Sequence, residues 1–380
     1  MQGLYIHIPF CQSRCLYCDF YSTTQSSLRE RYVDALIQEM QQRNGTFATV
    51  YLGGGTPSQL TLQQTERLFN ALYLYNKVAD DAEITVECNP DDITPERLHL
   101  LRQLGVNRLS LGIQTFDDAL LRFLRRRHNA RQAIMAVQQA QEAGFQNLSI
   151  DLMFGFPAYN DRQQKQVPAA ATFAADLRQA LSLGIQHLSA YSLMYEPGTP
   201  LTRLRDRGDV QECDDDTTLG LYQMLLDHTA AAGFEHYEIS NFALPGHRSR
   251  HNSSYWNDTP YVGLGAGAHS YDGTHRSRHT DDLSSYLADP LSLVTETLTT
   301  DEHYNEYVMT RLRTCEGLHL PTLLRRFGPQ LHAYFLTNAR PHLHAGRLTA
   351  DDHENIRLSR SGIFVSDDIM SDLMKIECVR

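Results

Sequence analysis

The stretch LYIHIPFCQSRCLYCDFYS, from Leu4 to Ser22, runs an apolar, strand-like segment straight into three thiols, Cys11, Cys15 and Cys18, spaced Cys-x3-Cys-x2-Cys. Three thiols so close together read as a metal centre with one position left open. The competing readings are a structural zinc ion, whose fourth ligand would come from a residue such as His7, and three unrelated buried thiols. A complete iron–sulfur site normally shows a fourth cysteine. The other four cysteines, Cys88, Cys213, Cys315 and Cys378, are scattered, and the odd total of seven offers no disulfide framework.

Outward from this loop, short apolar segments alternate with amphipathic ones, the pattern of parallel βα units. Strands are predicted at Leu4–Ile8, Thr49–Leu52, Glu83–Glu87, Arg108–Ile113, Leu148–Met153 and His187–Leu193. Apolar residues at helical spacing predict helices over Leu28–Gln42, Leu62–Tyr75, Pro95–Leu104, Arg131–Ala143, Ala170–Leu183 and Thr217–Ala232. Gly105, Gly144 and Gly233 stand where helices stop, in the left-handed position glycine favours. The expected fold is α/β, a partial (βα)6 TIM-like barrel over residues 1–236. A turn-rich segment, mostly turns and short strands, is expected over 237–299, and a helical region with a wing over 300–380.

Polar residues recur at the C-terminal ends of these strands, where barrel enzymes assemble their sites. The cysteines follow strand one, Gly53-Gly54-Gly55-Thr56-Pro57 strand two, Glu87 ends strand three, Gln114 follows strand four and Asp151 lies on strand five. A glycine run lets backbone amides approach a ligand closely, although it also reads as a plain strand-to-helix turn. Glu87, Gln114 and Asp151 have the alternative of satisfied strand ends. The run Arg125-Arg126-Arg127 reads either as a solvated face or as one cation turned toward an anionic ligand.

Together these residues resemble the radical S-adenosylmethionine (SAM) enzymes, in the group related to oxygen-independent coproporphyrinogen III oxidase. The resemblance rests on LYIHIPFCQSRCLYCDF, YLGGGTPS, Glu87-Cys88-Asn89-Pro90, LGIQTF, NLSIDLMFGFP and YSLMYEPGTPL, and covers nearly the whole chain. It implies a four-iron, four-sulfur cluster on Cys11, Cys15 and Cys18, its open iron chelated by the amino and carboxylate groups of SAM. One-electron reduction would then cleave SAM to methionine and a 5′-deoxyadenosyl radical. By position, the resemblance assigns Tyr5 and Tyr17 near the cluster and adenine, and Gly54, Gly55 and Thr56 to the amino-acid end of SAM. Glu87, Gln114 and Asp151 become polar contacts, and Arg126, twelve residues after Gln114, the partner of the SAM carboxylate. No catalytic residue follows from it. Cys88 departs from the family pattern and reads as a buried thiol.

Two features separate branches of this group. Phe20 stands where the oxidases resemble Cys-x3-Cys-x2-Cys-x-Cys, and the first strand starts without their N-terminal extension. His251-Asn252-Ser253-Ser254-Tyr255-Trp256 matches the His-Asn-x-x-Tyr-Trp motif of the haem chaperones known as HemW. In that setting His251 is a competent axial ligand for haem iron, and Tyr255 with Trp256 could pack on a porphyrin face. As one of 17 histidines, His251 also reads as an ordinary hydrogen-bonded residue, and so does His269. The expectation is therefore a haem-binding protein that delivers haem to acceptor haemoproteins and draws on a low-potential electron donor. The alternatives are an oxidase that decarboxylates coproporphyrinogen III to protoporphyrinogen IX, and a radical enzyme acting on another tetrapyrrole.

A net charge of −11, with 42% hydrophobic and 21% charged residues, describes an ordinary acidic globular chain and argues against nucleic acid as a general partner. The segment MQGLYIHIPF has no basic region and too short an apolar run for a secretory leader. No stretch reaches the ~18 apolar residues of a membrane span. A reducing, cytoplasmic compartment is the expectation.

Overall fold

A computed structural model describes residues 1–156, 159–160, 166–167 and 169–375. Its first half is the alternation expected: β1 (Gln2–Ile8), α1 (Arg29–Gln42), β2 (Thr46–Gly54), α2 (Leu62–Tyr75), β3 (Lys77–Cys88), α3 (Pro95–Gln103) and β4 (Arg108–Gln114). A short α4 (Asp118–Phe123) precedes α5 (Ala130–Glu142) and β5 (Leu148–Phe154). The two-residue strands β6 (Tyr159–Asn160) and β7 (Gln166–Val167) pair only with each other. Then come α6 (Ala169–Ser182) and β8 (His187–Ser192).

Capping explains several of these boundaries. Thr61 and Asn129 close capping boxes at α2 and α5, satisfying backbone donors that a helix start leaves free. Gly105, Gly144 and Gly233 all hold positive φ where helices end. The short helices α4 and α7 (Pro200–Asp206) were not foreseen. Each is begun by a local cap, Asp117 or Thr199, but is too short to show a periodic apolar face.

β1, β2, β3, β4, β5 and β8 lie side by side in that order, all parallel. Alternate residues face inward, while Leu4, Ile6, Val50, Leu52, Ile84, Leu109 and Leu111 are buried in the main apolar core. The sheet does not close. Beyond β8 it continues through β10 (Asn241–Ala243) to β9 (Glu235–Glu238), which follow α8 (Asp215–Ala231).

The segment 237–299 holds more regular structure than its turn-rich composition predicts. The His-Asn-x-x-Tyr-Trp motif is a helix, α9 (Arg250–Trp256), capped by Ser249. β11 (Tyr261–Leu264) then pairs parallel with β1 as a seventh parallel strand. β12 (His269–Tyr271), β13 (His275–Arg278) and β14 (Val294–Thr297) extend that edge antiparallel, with α10 (Leu283–Ala288) between the last two. Strand addition from so far along the chain is invisible to local periodicity.

After α11 (Thr300–Leu312) and β15 (Leu318–His319) comes the long α12 (Leu320–His344), kinked at Gly328 ahead of Pro329. A hairpin of β16 (Leu348–Ala350) and β17 (Asn355–Leu358), then α13 (Ser366–Leu373), complete the expected helix-and-wing arrangement. Tyr304, Tyr307, Leu323, Phe335 and Ile369 form a second apolar core there. Arg313 pairs with buried Glu238 at 2.6 Å, and the Ile239 amide donates to the Arg313 carbonyl at 3.1 Å, joining it to β9.

Candidate functional site

The cysteine loop is stitched across the C-terminal mouth of the parallel strands. The Thr23 amide donates to the Pro9 carbonyl at 2.7 Å and the Cys11 amide to the Thr23 carbonyl at 2.9 Å, closing the loop at its base. Leu16 is buried with Leu120, Leu124, Leu193 and Leu201, and backbone bonds tie it to Leu124 and Leu201. The loop thus bridges from β1 to the segment after β8. Cys11, Cys15 and Cys18 are free thiols, each half-buried. Cys11 Sγ lies 3.5 Å from Thr56 Oγ1, and Arg126 Nη1 points at Cys15 Sγ at 3.5 Å. Burial pushes the Cys11 thiol up and takes Cys18 to about 11. Among the described residues no three His, Cys, Asp or Glu side chains are gathered as a cage for a single metal ion.

The glycine run is constrained by packing as well as by any ligand. A Cβ on Gly54, whose φ is +108°, would fall 2.7 Å from the His7 ring, and one on Gly55 would fall 2.7 Å from the Pro9 carbonyl carbon. The close approach lets the Gly55 amide bond to Ile8 at 2.9 Å. The Gly54 amide donates to Glu87 at 3.2 Å. Glu87 also accepts from Tyr51 Oη at 2.7 Å. Burial raises its carboxyl to about 7, and the Asp151 charge adds to that. Asp151 accepts from Ser110 Oγ at 3.3 Å and is raised to about 6, again chiefly by burial.

Within the basic run the three arginines separate cleanly. Arg125 is exposed, while Arg127 pairs with Asp91 and Asp92, each at 3.0 Å. Arg126 turns inward and donates to the Gly112 carbonyl and to Asn89 Oδ1 as well as toward Cys15. Gln114 reaches the same region from a left-handed backbone, φ 70°, its amide nitrogen 3.1 Å from where a Gly112 Cβ would be. Tyr17 packs on the Leu16 cluster, its phenol pushed up by burial and drawn back by Arg126. Tyr5 sits one layer deeper, its hydroxyl donating to His7 Nδ1 at 3.2 Å.

His251 is elsewhere. It lies at the N-terminal end of the strands, the floor of the barrel, where Glu83 accepts from the Arg250 and His251 amides at 3.0 and 2.9 Å. Its ring is 1% exposed, stacks on Tyr51 at 5.0 Å, and bonds through both nitrogens, Nδ1 to Thr49 at 2.8 Å and Nε2 to Tyr255 at 2.9 Å. Burial lowers its pKa to about 3, so the ring is neutral. Trp256 lies under the Arg313 guanidinium at 4.9 Å. His269 is exposed on β12.

Three contributors went unnoticed in the sequence. Tyr51 and Asn89 orient Glu87 and Arg126, and each has a simple signal: Tyr51 is two residues before Gly53 on the inward face, and Asn89 two after Glu87. Arg108 opens β4 and is buried, 1% exposed, with no hydrogen-bond partner for Nε and Nη1 among the described residues. A charged residue at the head of the apolar run RLSLGI was its signal.

Residues 5–167 match the model of the radical SAM superfamily, and residues 298–365 that of the HemN C-terminal domain. Over 348 residues the chain is 36% identical to "Heme chaperone HemW" of Bacillus subtilis (strain 168), spanning 88% of this chain and 89% of that relative. The protein of that name from Escherichia coli (strain K12) is 35% identical over 274 residues, 70% of this chain and 69% of its own. "Radical S-adenosyl methionine domain-containing protein 1, mitochondrial" of Bos taurus is 30% identical over 98% of this chain and 87% of its own. Among solved structures, coproporphyrinogen III oxidase (HemN) from Escherichia coli has the same fold, with a TM-score of 0.83 over 98% of this chain and 90% of that one, at 24% identity.

Proposed function

The chain belongs to the HemW family of radical SAM proteins, and from that premise we propose that it is a haem chaperone, binding haem and passing it to acceptor haemoproteins. The observation that carries this reading is the 36% identity to a curated haem chaperone along 88% of the chain. Phe20 supports it, since a fourth cysteine of the oxidase type is missing there and the side chain is 70% exposed beside Cys18. Met194, 60% exposed after β8, adds a second apolar group at the mouth, the kind of surface a flat porphyrin covers.

We further propose that the mouth holds a four-iron, four-sulfur cluster and SAM. The donor set fits: three soft thiols on one loop, none in a disulfide, with an inward arginine among them. When bound, such a cluster supplies one-electron reductive cleavage of SAM. The chain's own residues position and shield. Arg126 offers a fixed fork to a carboxylate, the Gly54–Thr56 turn lets backbone approach the amino-acid end, and Glu87 and Asp151 offer acceptors to donors and cationic groups. Tyr17 and the Leu16 cluster close the mouth against water. His251 becomes an iron ligand only in a state where its ring has left Thr49 and Tyr255.

The test is anaerobic reconstitution followed by haem addition and mixing with an apo-haemoprotein. The expected results are a Soret band on the chaperone, its transfer to the acceptor, and no turnover of coproporphyrinogen III. Robust formation of protoporphyrinogen IX, or haem that never leaves the protein, would overturn the reading. A Soret band unchanged by His251→Ala would remove that residue as ligand while leaving the chaperone role. Cys15→Ala protein that kept a full cluster and cleaved SAM would refute the cysteine assignment.

A further inference from the structure

We propose that Asp176, on α6 and outside the mouth, is a positioning residue that holds Gln114 in its SAM-facing conformation; the proposal rests on the reading of Gln114 as a SAM contact. Gln114 ends β4 with φ 70°, a left-handed backbone that is unfavourable for a side-chain-bearing residue and persists only where surrounding structure imposes it. The residues immediately after it are gripped by one carboxylate. Asp176 Oδ2 accepts from the Thr115 hydroxyl and Oδ1 from the Phe116 amide, both at 2.7 Å. Asp176 is 2% exposed and Thr115 0%, so these bonds are sheltered from competition by water.

The grip extends to both sides of the turn. Before it, buried His128 bonds through Nε2 to the Ile113 carbonyl at 3.1 Å. After it, the Thr115 hydroxyl accepts from the Asp117 amide at 3.1 Å, and Asp117 in turn caps α4 through the Ala119 and Leu120 amides. α4 leads directly to the second left-handed residue, Arg125 at φ 59°, and to Arg126. One buried carboxylate therefore fixes the turn that leaves Gln114, the residue it presents to the mouth. Nothing in the local sequence QTFDD names this partner, which lies about 60 residues away on another helix.

The experiment measures SAM affinity of cluster-loaded protein by equilibrium dialysis, with iron content and apo-protein melting as separate readouts. Asp176→Ala should weaken SAM binding about tenfold to a hundredfold, the scale of a misplaced ligand group, with iron content unchanged. Thr115→Val, which removes a single hydroxyl and serves if Asp176→Ala does not fold, should weaken it in the same direction. Asp176→Asn, which keeps an acceptor for the Phe116 amide, should recover most of the affinity. Combining Asp176→Ala or Thr115→Val with Gln114→Ala should lose little more than Gln114→Ala alone, because both changes disable one contact. Effects that multiply fully, or wild-type affinity in Asp176→Ala or Thr115→Val while Gln114→Ala binds weakly, would overturn the positioning role alone. Wild-type affinity in Gln114→Ala would overturn the reading of Gln114 beneath it.

Discussion

Thr49 Oγ1 lies 2.8 Å from His251 Nδ1, joining the second strand to helix α9 across 202 residues of chain. With Tyr255 on Nε2 and Glu83 on the α9 amides, the bond makes the haem-chaperone motif a plug for the barrel floor. The motif and the cysteine loop occupy opposite ends of β1: Gly3 faces the His251 ring, and Pro9 leads into Cys11.

His251→Ala should therefore destabilise the apo-protein, independent of haem. Two hydroxyls lose their partner and a cavity opens beneath Tyr51, a loss of about 2–4 kcal/mol. Denaturant unfolding of cluster-free protein checks this. An unchanged midpoint would mean that α9 does not pin the floor.

Glu87→Gln should stabilise the protein at pH 8 while weakening SAM binding. Burial raises the folded carboxyl from its ordinary 4.5 to about 7. As pH climbs through that window the unfolded chain ionises and the folded chain does not, so folding loses stability on the order of 3 kcal/mol, and the deficit persists above it. Glutamine removes the deficit and keeps an acceptor for Tyr51. Melting curves of both proteins should separate at pH 8 and converge below about pH 4.5. A constant gap across that range would exclude Glu87 as its source.

Arg126→Lys should retain the cluster and lose SAM. Lysine keeps the charge but cannot serve Asn89, the Gly112 carbonyl and a ligand carboxylate from one planar fork. SAM affinity should fall about tenfold or more, with iron content unchanged. Equal loss of iron and SAM would show that the arginine holds the loop and not the ligand.

Glu39→Ala should be among the most damaging changes remote from the mouth. Fully buried, Glu39 accepts from Arg43 at 2.8 Å, His279 at 2.6 Å, Tyr286 at 2.8 Å and the Gly265 amide at 2.9 Å. It ties α1 to the β11 edge and α10. Arg43 keeps the Gly263 carbonyl and Ser270, but removing the carboxylate takes the shared acceptor from His279, Tyr286 and the Gly265 amide in the interior, a cost of about 3–5 kcal/mol. Soluble expression and thermal melting would reveal it; a loss under 1 kcal/mol would contradict the network.

The six parallel strands and their helices were legible because each follows from local periodicity and capping. Leu62–Tyr75 came out residue for residue, since Thr61 and Gln64 announce the start and Asn76 breaks the run. Thr46–Gly54 came out longer than Thr49–Leu52, because its first residues pair only with β1 and β3. In the mouth, Gly54, Glu87, Gln114, Arg126 and Asp151 converge as strand-end logic requires. Of their supports, Tyr51 and Asn89 carry only a positional signal beside Gly53 and Glu87, and Asp176 carries none, because the groups it holds, Thr115 and Phe116, lie about 60 residues away.

The sequence by itself determined that this is a chain of βα units with three thiols in the loop after its first strand, and which family those residues resemble. Those features are short-range: a period of two or 3.6, a cap, a spacing within one loop. Only the tertiary structure decided that His251 faces the barrel floor with both nitrogens engaged, that β11 joins β1 in parallel, and that Asp176 holds the turn behind Gln114. Each of these is a contact between distant residues, set by which groups can be buried together with their hydrogen bonds satisfied.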